Sequence, residues 1–232
     1  MNKPRRIGIL GGMGPEATVQ FMARVIQRTS AADDSDHIPM IVDNNTQIPS
    51  RIRRLIEGQG ADPVPALTEM ARKLEAYGAE ALAMPCNTAH NYAAEIQQAV
   101  RIPLLNMVEL TARKILQTIG SAKPVGILAS PAIKITGIYD KAFAKLGLQS
   151  LYPENQDRLL AAIRALKISG ADPMPRQVLA EAGRELQALG AGILLIGCSE
   201  FSMIADAAPD GIPAIDSVDV LTEASIAFAL GR

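Results

Sequence analysis

Gly60-Ala-Asp-Pro-Val-Pro65 returns as Gly170-Ala-Asp-Pro-Met-Pro175, and each copy leads through a helical stretch into Tyr77-Gly-Ala or Leu189-Gly-Ala. Each then enters an apolar run: Ala81-Leu-Ala-Met-Pro ends at Cys86, and Ile193-Leu-Leu-Ile-Gly ends at Cys198. The correspondence continues downstream, where Ile102-Pro-Leu-Leu-Asn106 with Val108-Glu109 matches Ile212-Pro-Ala-Ile-Asp216 with Val218-Asp219. Upstream, Ile7-Gly-Ile-Leu10 resembles Val125-Gly-Ile-Leu128. The chain is one pattern written twice, which a search for internal repeats finds before any element is assigned.

Short apolar runs alternate with helical patterns of ten or more residues, the signature of an α/β protein with parallel-type sheets and flanking helices. Strands are expected near 5–10, 38–44, 79–84, 103–105, 124–129, 148–151, 191–196 and 212–214. Pro63 and Pro173 suit the first helical position, with Asp62 or Asp172 as the cap. Two similar lobes related by a pseudo-twofold are expected, the first over 1–105 and the second over 106–215. A terminal helix within 216–232 would pack back on the first lobe. In open parallel sheets ligands lie beyond the carboxyl ends of the strands. Both cysteines fall at such ends, so the active site is expected in the cleft between lobes.

A chain of 232 residues can build one large core or two of about half that size. With 48% hydrophobic and 20% charged residues it is not a disordered chain. A net charge of -1 and only 3% aromatic residues, none of them Trp, exclude nucleic acid as a partner. The opening Met-Asn-Lys-Pro-Arg-Arg runs into an apolar stretch too short for a signal peptide, and no stretch is long enough to span a bilayer. A cytoplasmic protein without membrane partners is expected. In that reducing compartment two cysteines are free thiols rather than a disulfide framework. No Cys-x-x-Cys occurs and His37 lies in a polar loop, so no metal site is expected.

Cys86-Asn-Thr-Ala-His90 and Cys198-Ser-Glu-Phe201 each place a thiol after a strand, where a helix begins among small polar residues. Free N–H groups and the positive end of the helix dipole should lower the thiol pKa there and make a seat for a carboxylate. A single buried cysteine is commonly a small hydrophobe. Two at equivalent ends of a duplicated unit point to shared chemistry instead.

Gly12-x-Gly14-x-x-Ala17 after the first strand imitates a dinucleotide fingerprint. The acidic residue that the fingerprint requires about 20 residues later, ending the second strand, is missing, because Asp33, Asp34 and Asp36 fall in a polar loop. The turn is read as lining the site, without NAD.

At Gly11-Gly-Met-Gly-Pro-Glu16, Met84-Pro-Cys-Asn-Thr-Ala-His90 and Gly197-Cys-Ser-Glu200 the sequence resembles the aspartate/glutamate racemase family, over nearly the whole chain. Ser199 stands where the family most often has Thr, which keeps the hydroxyl. Glu200 stands where cell-wall glutamate racemases usually carry His, which favours the aspartate branch. The resemblance implies racemisation without a cofactor, Cys86 and Cys198 serving as acid and base on opposite faces of the α-carbon, and a homodimer. A single base returning its own proton would restore the starting enantiomer.

Donors from Asn87, Thr88, Ser199 and Glu200 would hold the α-carboxylate as charge develops on it. By resemblance Met13 touches the substrate, and Arg51 and Lys167 meet the distal carboxylate of an acidic amino acid. By residue type alone each of these cations is a solvated charge, with Arg53 and Arg54 crowding the first. His90 and Glu200 fit either a supporting role behind the thiols or a helix surface. The rival readings are a decarboxylase or isomerase of a small diacid on the same fold, and a protein that binds an acidic amino acid without turnover.

Overall fold

The computed structural model of the chain describes residues 3–168 and 173–232. Among these described residues eight strands alternate with helices: β1 (Ile7–Gly11), β2 (Met40–Asn44), β3 (Ala81–Ala83), β4 (Leu104–Leu105), β5 (Val125–Leu128), β6 (Ser150–Leu151), β7 (Ile193–Ile196) and β8 (Ala214–Asp216). The helices of the first half are α1 (Pro15–Arg28), α2 (Arg51–Leu55), α3 (Val64–Ala76), α4 (Ala93–Ala99) and α5 (Met107–Ile119). The remainder are α6 (Pro131–Thr136), α7 (Ile138–Ala144), α8 (Gln156–Ile168), α9 (Met174–Ala188) and α10 (Ser217–Leu230). Two compact units result, Met1–Leu110 with Val218–Arg232, and Thr111–Ser217.

Each unit carries a four-stranded parallel sheet, in the order β2-β1-β3-β4 in the first and β6-β5-β7-β8 in the second. The two orders are the same pattern, as the repeated sequence requires. Strand windows read from the sequence overlap all eight strands, so the α/β architecture stands.

In the first unit, side chains alternate across the sheet because successive Cβ atoms point to opposite faces. Leu10 and Leu82 pack with Leu67, Met70 and Leu74 of α3 and Ile96 of α4. Ile7 and Ile9 pack with Phe21 and Val25 of α1 and with Val218 and Leu221 of α10. Asp219 of α10 also pairs with Arg24 at 2.6 Å and Arg28 at 2.7 Å. In the second unit Leu128, Leu194 and Ile196 pack with Leu159 and Ile163 of α8 and Leu179 and Leu186 of α9.

The glycine shared by Ile7-Gly-Ile-Leu10 and Val125-Gly-Ile-Leu128 has a packing cause. A Cβ on Gly8 would stand 3.2 Å from Leu74 Cβ and 2.8 Å from Ala79 Cβ, and one on Gly126 would stand 3.0 Å from Leu186 Cβ. Helix and strand approach too closely at that point for a side chain.

The helix starts differ in detail from expectation. Pro63 and Pro173 are the cap residues themselves, and the second proline of each repeat, Pro65 or Pro175, falls in the first turn. Asp62 still accepts from the Val64 N–H at 3.0 Å, satisfying one of the helix's open donors. The expected cap Asp172 lies outside the described residues. Among the described residues no helix is long and apolar enough to cross a membrane, and no group of three His, Cys, Asp or Glu is arranged to hold a metal ion.

Candidate active site

In the first unit β1 ends in a tight turn before α1. Gly12 has φ of +87°, and a Cβ there would lie 2.1 Å from the Asn45 carbonyl oxygen, so only glycine fits. The Gly12 N–H donates to Thr18 Oγ1 at 3.0 Å, and that hydroxyl donates to the Gly14 carbonyl at 3.2 Å. The turn is thereby fixed to the first turn of α1. Met13 is buried beside it, in the same apolar cluster as Cys86 and Ile48.

Cys86 follows β3 and is 7% exposed. Beyond it Asn87, buried, precedes a short 3-10 helix over Thr88–Tyr92 without a side-chain capping bond, and Thr88 is partly exposed. His90 lies in this turn with its ring buried. The Met107 N–H, which can only donate, points at His90 Nε2 at 3.1 Å. The ring proton therefore sits on Nδ1 and donates to the Cys86 carbonyl at 2.9 Å. Burial pushes the His90 pKa down to about 4, against the opposing pull of the Cys86 and Leu105 carbonyls. A neutral imidazole thus ties the cysteine turn to the head of α5.

The second unit repeats the tether with other groups. Ser202, like His90, stands four residues after its cysteine, and its N–H donates to the Cys198 carbonyl at 3.0 Å. Its hydroxyl donates to Asp216 at the end of β8 at 2.6 Å, within 3.2 Å of the same carbonyl. In both units the residue four beyond the cysteine links that cysteine's carbonyl to the junction between the fourth strand and the helix after it, at Met107 in the first and Asp216 in the second. His90 is no surface residue. Ser202 and Asp216 were missed as supports, although the repeat alignment already paired Asp216 with Asn106.

Cys198 is 6% exposed, and its thiol donates to Glu200 Oε2 at 3.1 Å. Ser199, also buried, places its hydroxyl 3.3 Å from the same oxygen. The other oxygen, Oε1, pairs with Lys167 Nζ from the last turn of α8 at 3.0 Å. Lys167, Cys198, Ser199 and Glu200 therefore form one cluster, and Glu200 is buried inside it rather than on a helix surface.

A lowered thiol pKa was expected at a helix start, yet the Cys198 thiol is pushed well above its ordinary value. Burial is the largest cause, and the Glu200 charge and hydrogen bond add to it. The Phe201 and Glu200 backbone groups do favour the thiolate, but they are outweighed. The following helix is a 3-10 segment, Phe201–Ala207, capped by Glu200, so the sulfur lies two residues before the cap and gains little from a dipole that fades within one turn.

Arg51 opens α2, where Ser50 caps by accepting from the Arg53 N–H at 3.3 Å. Its guanidinium donates to the Pro49 carbonyl at 3.1 Å, while its Nε is buried with no hydrogen-bond partner. A buried guanidinium N–H left open in this way invites an acceptor.

A family profile described as Asp/Glu/Hydantoin racemase matches residues 10–225. The chain is 29% identical over 227 residues to the broad specificity amino-acid racemase RacX of Bacillus subtilis, covering 97% of this chain and 98% of that protein. It superposes on an aspartate racemase of Picrophilus torridus with a TM-score of 0.86 and 31% identity, over 97% of this chain and 94% of the other. Glutamate racemase of Francisella tularensis, solved in complex with D-glutamate, matches with a TM-score of 0.68 at 15% identity over 99% and 83% of the two chains, which shows a shared fold.

Proposed function

This chain belongs to the Asp/Glu/Hydantoin racemase family as an amino-acid racemase, and from that premise we propose that it interconverts L- and D-aspartate by a two-base exchange between Cys86 and Cys198. No cofactor takes part in this reading. The observation that carries it is the paired construction: each unit holds one buried cysteine beyond its third strand, with the cysteine carbonyl tied to the start of the helix or the end of the strand where the fourth strand gives way.

Inversion at carbon requires one sulfur to take the α-proton as thiolate while the other delivers a proton to the opposite face as thiol. Cys198, protonated beside Glu200, enters as the proton donor, which leaves the first abstraction to Cys86. Roles exchange for the other enantiomer. Each positioned proton transfer contributes roughly 10²- to 10⁴-fold. Charge spreading onto the α-carboxylate is met by the N–H groups after each cysteine, oriented in advance and therefore effective without reorganisation. Arg51, with its open Nε, and Lys167 are the cations for the distal carboxylate. The reading includes glutamate as a further substrate and a homodimer as the assembly.

Incubating L-aspartate with the protein in D2O tests the proposal, following deuterium at Cα by NMR together with optical rotation. Exchange with inversion is expected. A folded protein giving no exchange would refute it, and loss of CO2 would point to the decarboxylase reading.

A further inference from the structure

Glu200 holds the lysine that the proposed reaction needs. Its Oε1 pairs with Lys167 Nζ at 3.0 Å, while Oε2 is engaged separately by Cys198 Sγ at 3.1 Å and Ser199 Oγ at 3.3 Å. The two partners differ in exposure. The Glu200 side chain is 10% exposed and is held from its other oxygen, whereas Lys167 is 39% exposed on a flexible four-carbon stem. An anion arriving from solvent therefore meets the lysine before it meets the carboxylate.

We propose that Glu200 is a specificity-determining residue: its carboxylate stands, in the ligand-free protein, where the distal carboxylate of the substrate meets Lys167, so the substrate must compete with it. The inference rests on the reading of Lys167 as the cation for that carboxylate. A dicarboxylic ligand exchanges one ion pair for another, and Glu200 keeps its thiol and hydroxyl donors throughout. A ligand with a single carboxylate has nothing to offer Lys167 and leaves the pair closed. Discrimination comes from the displaced internal anion as well as from the new contact, since specificity is a difference between two affinities.

Titration calorimetry with succinate, which carries both carboxylates and no α-amine, and with propionate, which carries one, gives the test. Glu200→Gln keeps the size and, with its amide oxygen turned to Cys198 and Ser199, their acceptor, while it removes the charge and the acceptor facing Lys167. It should tighten succinate binding about tenfold, as expected for release of one charge-assisted contact, and leave propionate within about twofold. Lys167→Gln should weaken succinate, and adding Glu200→Gln to it should restore nothing, because the gain needs the lysine. Glu200→Asp, whose shorter side chain draws the carboxylate back from Lys167, should also tighten succinate, and circular dichroism checks that each variant is folded. Unchanged or weaker succinate binding in Glu200→Gln, a gain that survives without Lys167, or no succinate binding by any form overturns the proposal. Cα exchange by the unaltered protein reports separately on racemisation. Exchange with a flat mutant cycle removes the role of Glu200 alone, and an intact cycle without exchange removes the racemase reading alone.

Discussion

Acidification should loosen the first unit through His90. Its Nε2 lone pair accepts the Met107 N–H, so a proton placed there would set two donors against each other inside a buried turn. The pKa of about 4 in the folded protein, against 6.5 for the free side chain, separates the two states by about 2.5 units. At 1.36 kcal/mol per unit this difference is worth about 3 kcal/mol. The folded value lies below the unfolded one, so the native state binds fewer protons between them. The contribution is whole above pH 6.5 and is lost as pH falls toward 4, by up to about 1.4 kcal/mol per unit. Carboxylates titrate in the same range, and a variant is needed to isolate the imidazole. His90→Asn keeps a donor near the Cys86 carbonyl and leaves the Met107 N–H open, costing about 1 to 3 kcal/mol at pH 7.5. Urea denaturation of both proteins from pH 7.5 to 4.5 should show that difference shrinking as pH falls. Histidine Cε1–H NMR signals should place the His90 midpoint near 4. A midpoint near 6.5, or a difference that stays constant with pH, would refute the reasoning.

Cys86→Ala and Cys198→Ala should each lower kcat for racemisation by at least about 10³-fold while circular dichroism stays unchanged, since in the proposed reaction each removes one of two obligatory proton carriers. Glu200→Gln should speed alkylation of Cys198 by iodoacetamide at pH 8, followed by peptide mass spectrometry, because the carboxylate charge holds the sulfur protonated; an equal or slower rate contradicts that cause. Gly12→Ala should destabilise the protein by about 3 kcal/mol or more, from positive φ and collision with Asn45, as read by thermal denaturation. Arg51→Lys should raise KM for aspartate about tenfold, the worth of one charge-assisted hydrogen bond of roughly 1.5 kcal/mol, with a smaller effect on kcat.

The parallel character of the sheets was legible because short apolar runs alternate with helical stretches and the whole series repeats with its cysteines, while the strand order β2-β1-β3-β4 was not. Strand limits were legible only in part. The window 212–214 became Ala214–Asp216 because pairing starts from the Pro213 carbonyl, which accepts the Leu194 N–H, and register is a property of two strands rather than one. The cysteines stood out by position, but the ionisation of Cys198 did not follow from its place before a helix. It depends on a side chain two residues on folding back to 3.1 Å from the sulfur and on burial of both, and neither is encoded by spacing. The role of His90 was equally hidden: its partner at Met107 is adjacent only after α4 and β4 have turned the chain around. Ser202 escaped because serine so often merely occupies a turn.

A protein assembled by copying would begin with two indistinguishable sulfurs, each anchored by the same linkage. Here the anchor survives in both copies while its chemistry has diverged, an aromatic nitrogen in one and a hydroxyl with a carboxylate in the other. Because each linkage closes inside its own unit, one sulfur can be retuned by substitutions nearby without disturbing the scaffold of its counterpart. The duplicated framework thus supplies mechanical equivalence, while neighbouring positions such as Glu200 set the surroundings of one sulfur by itself.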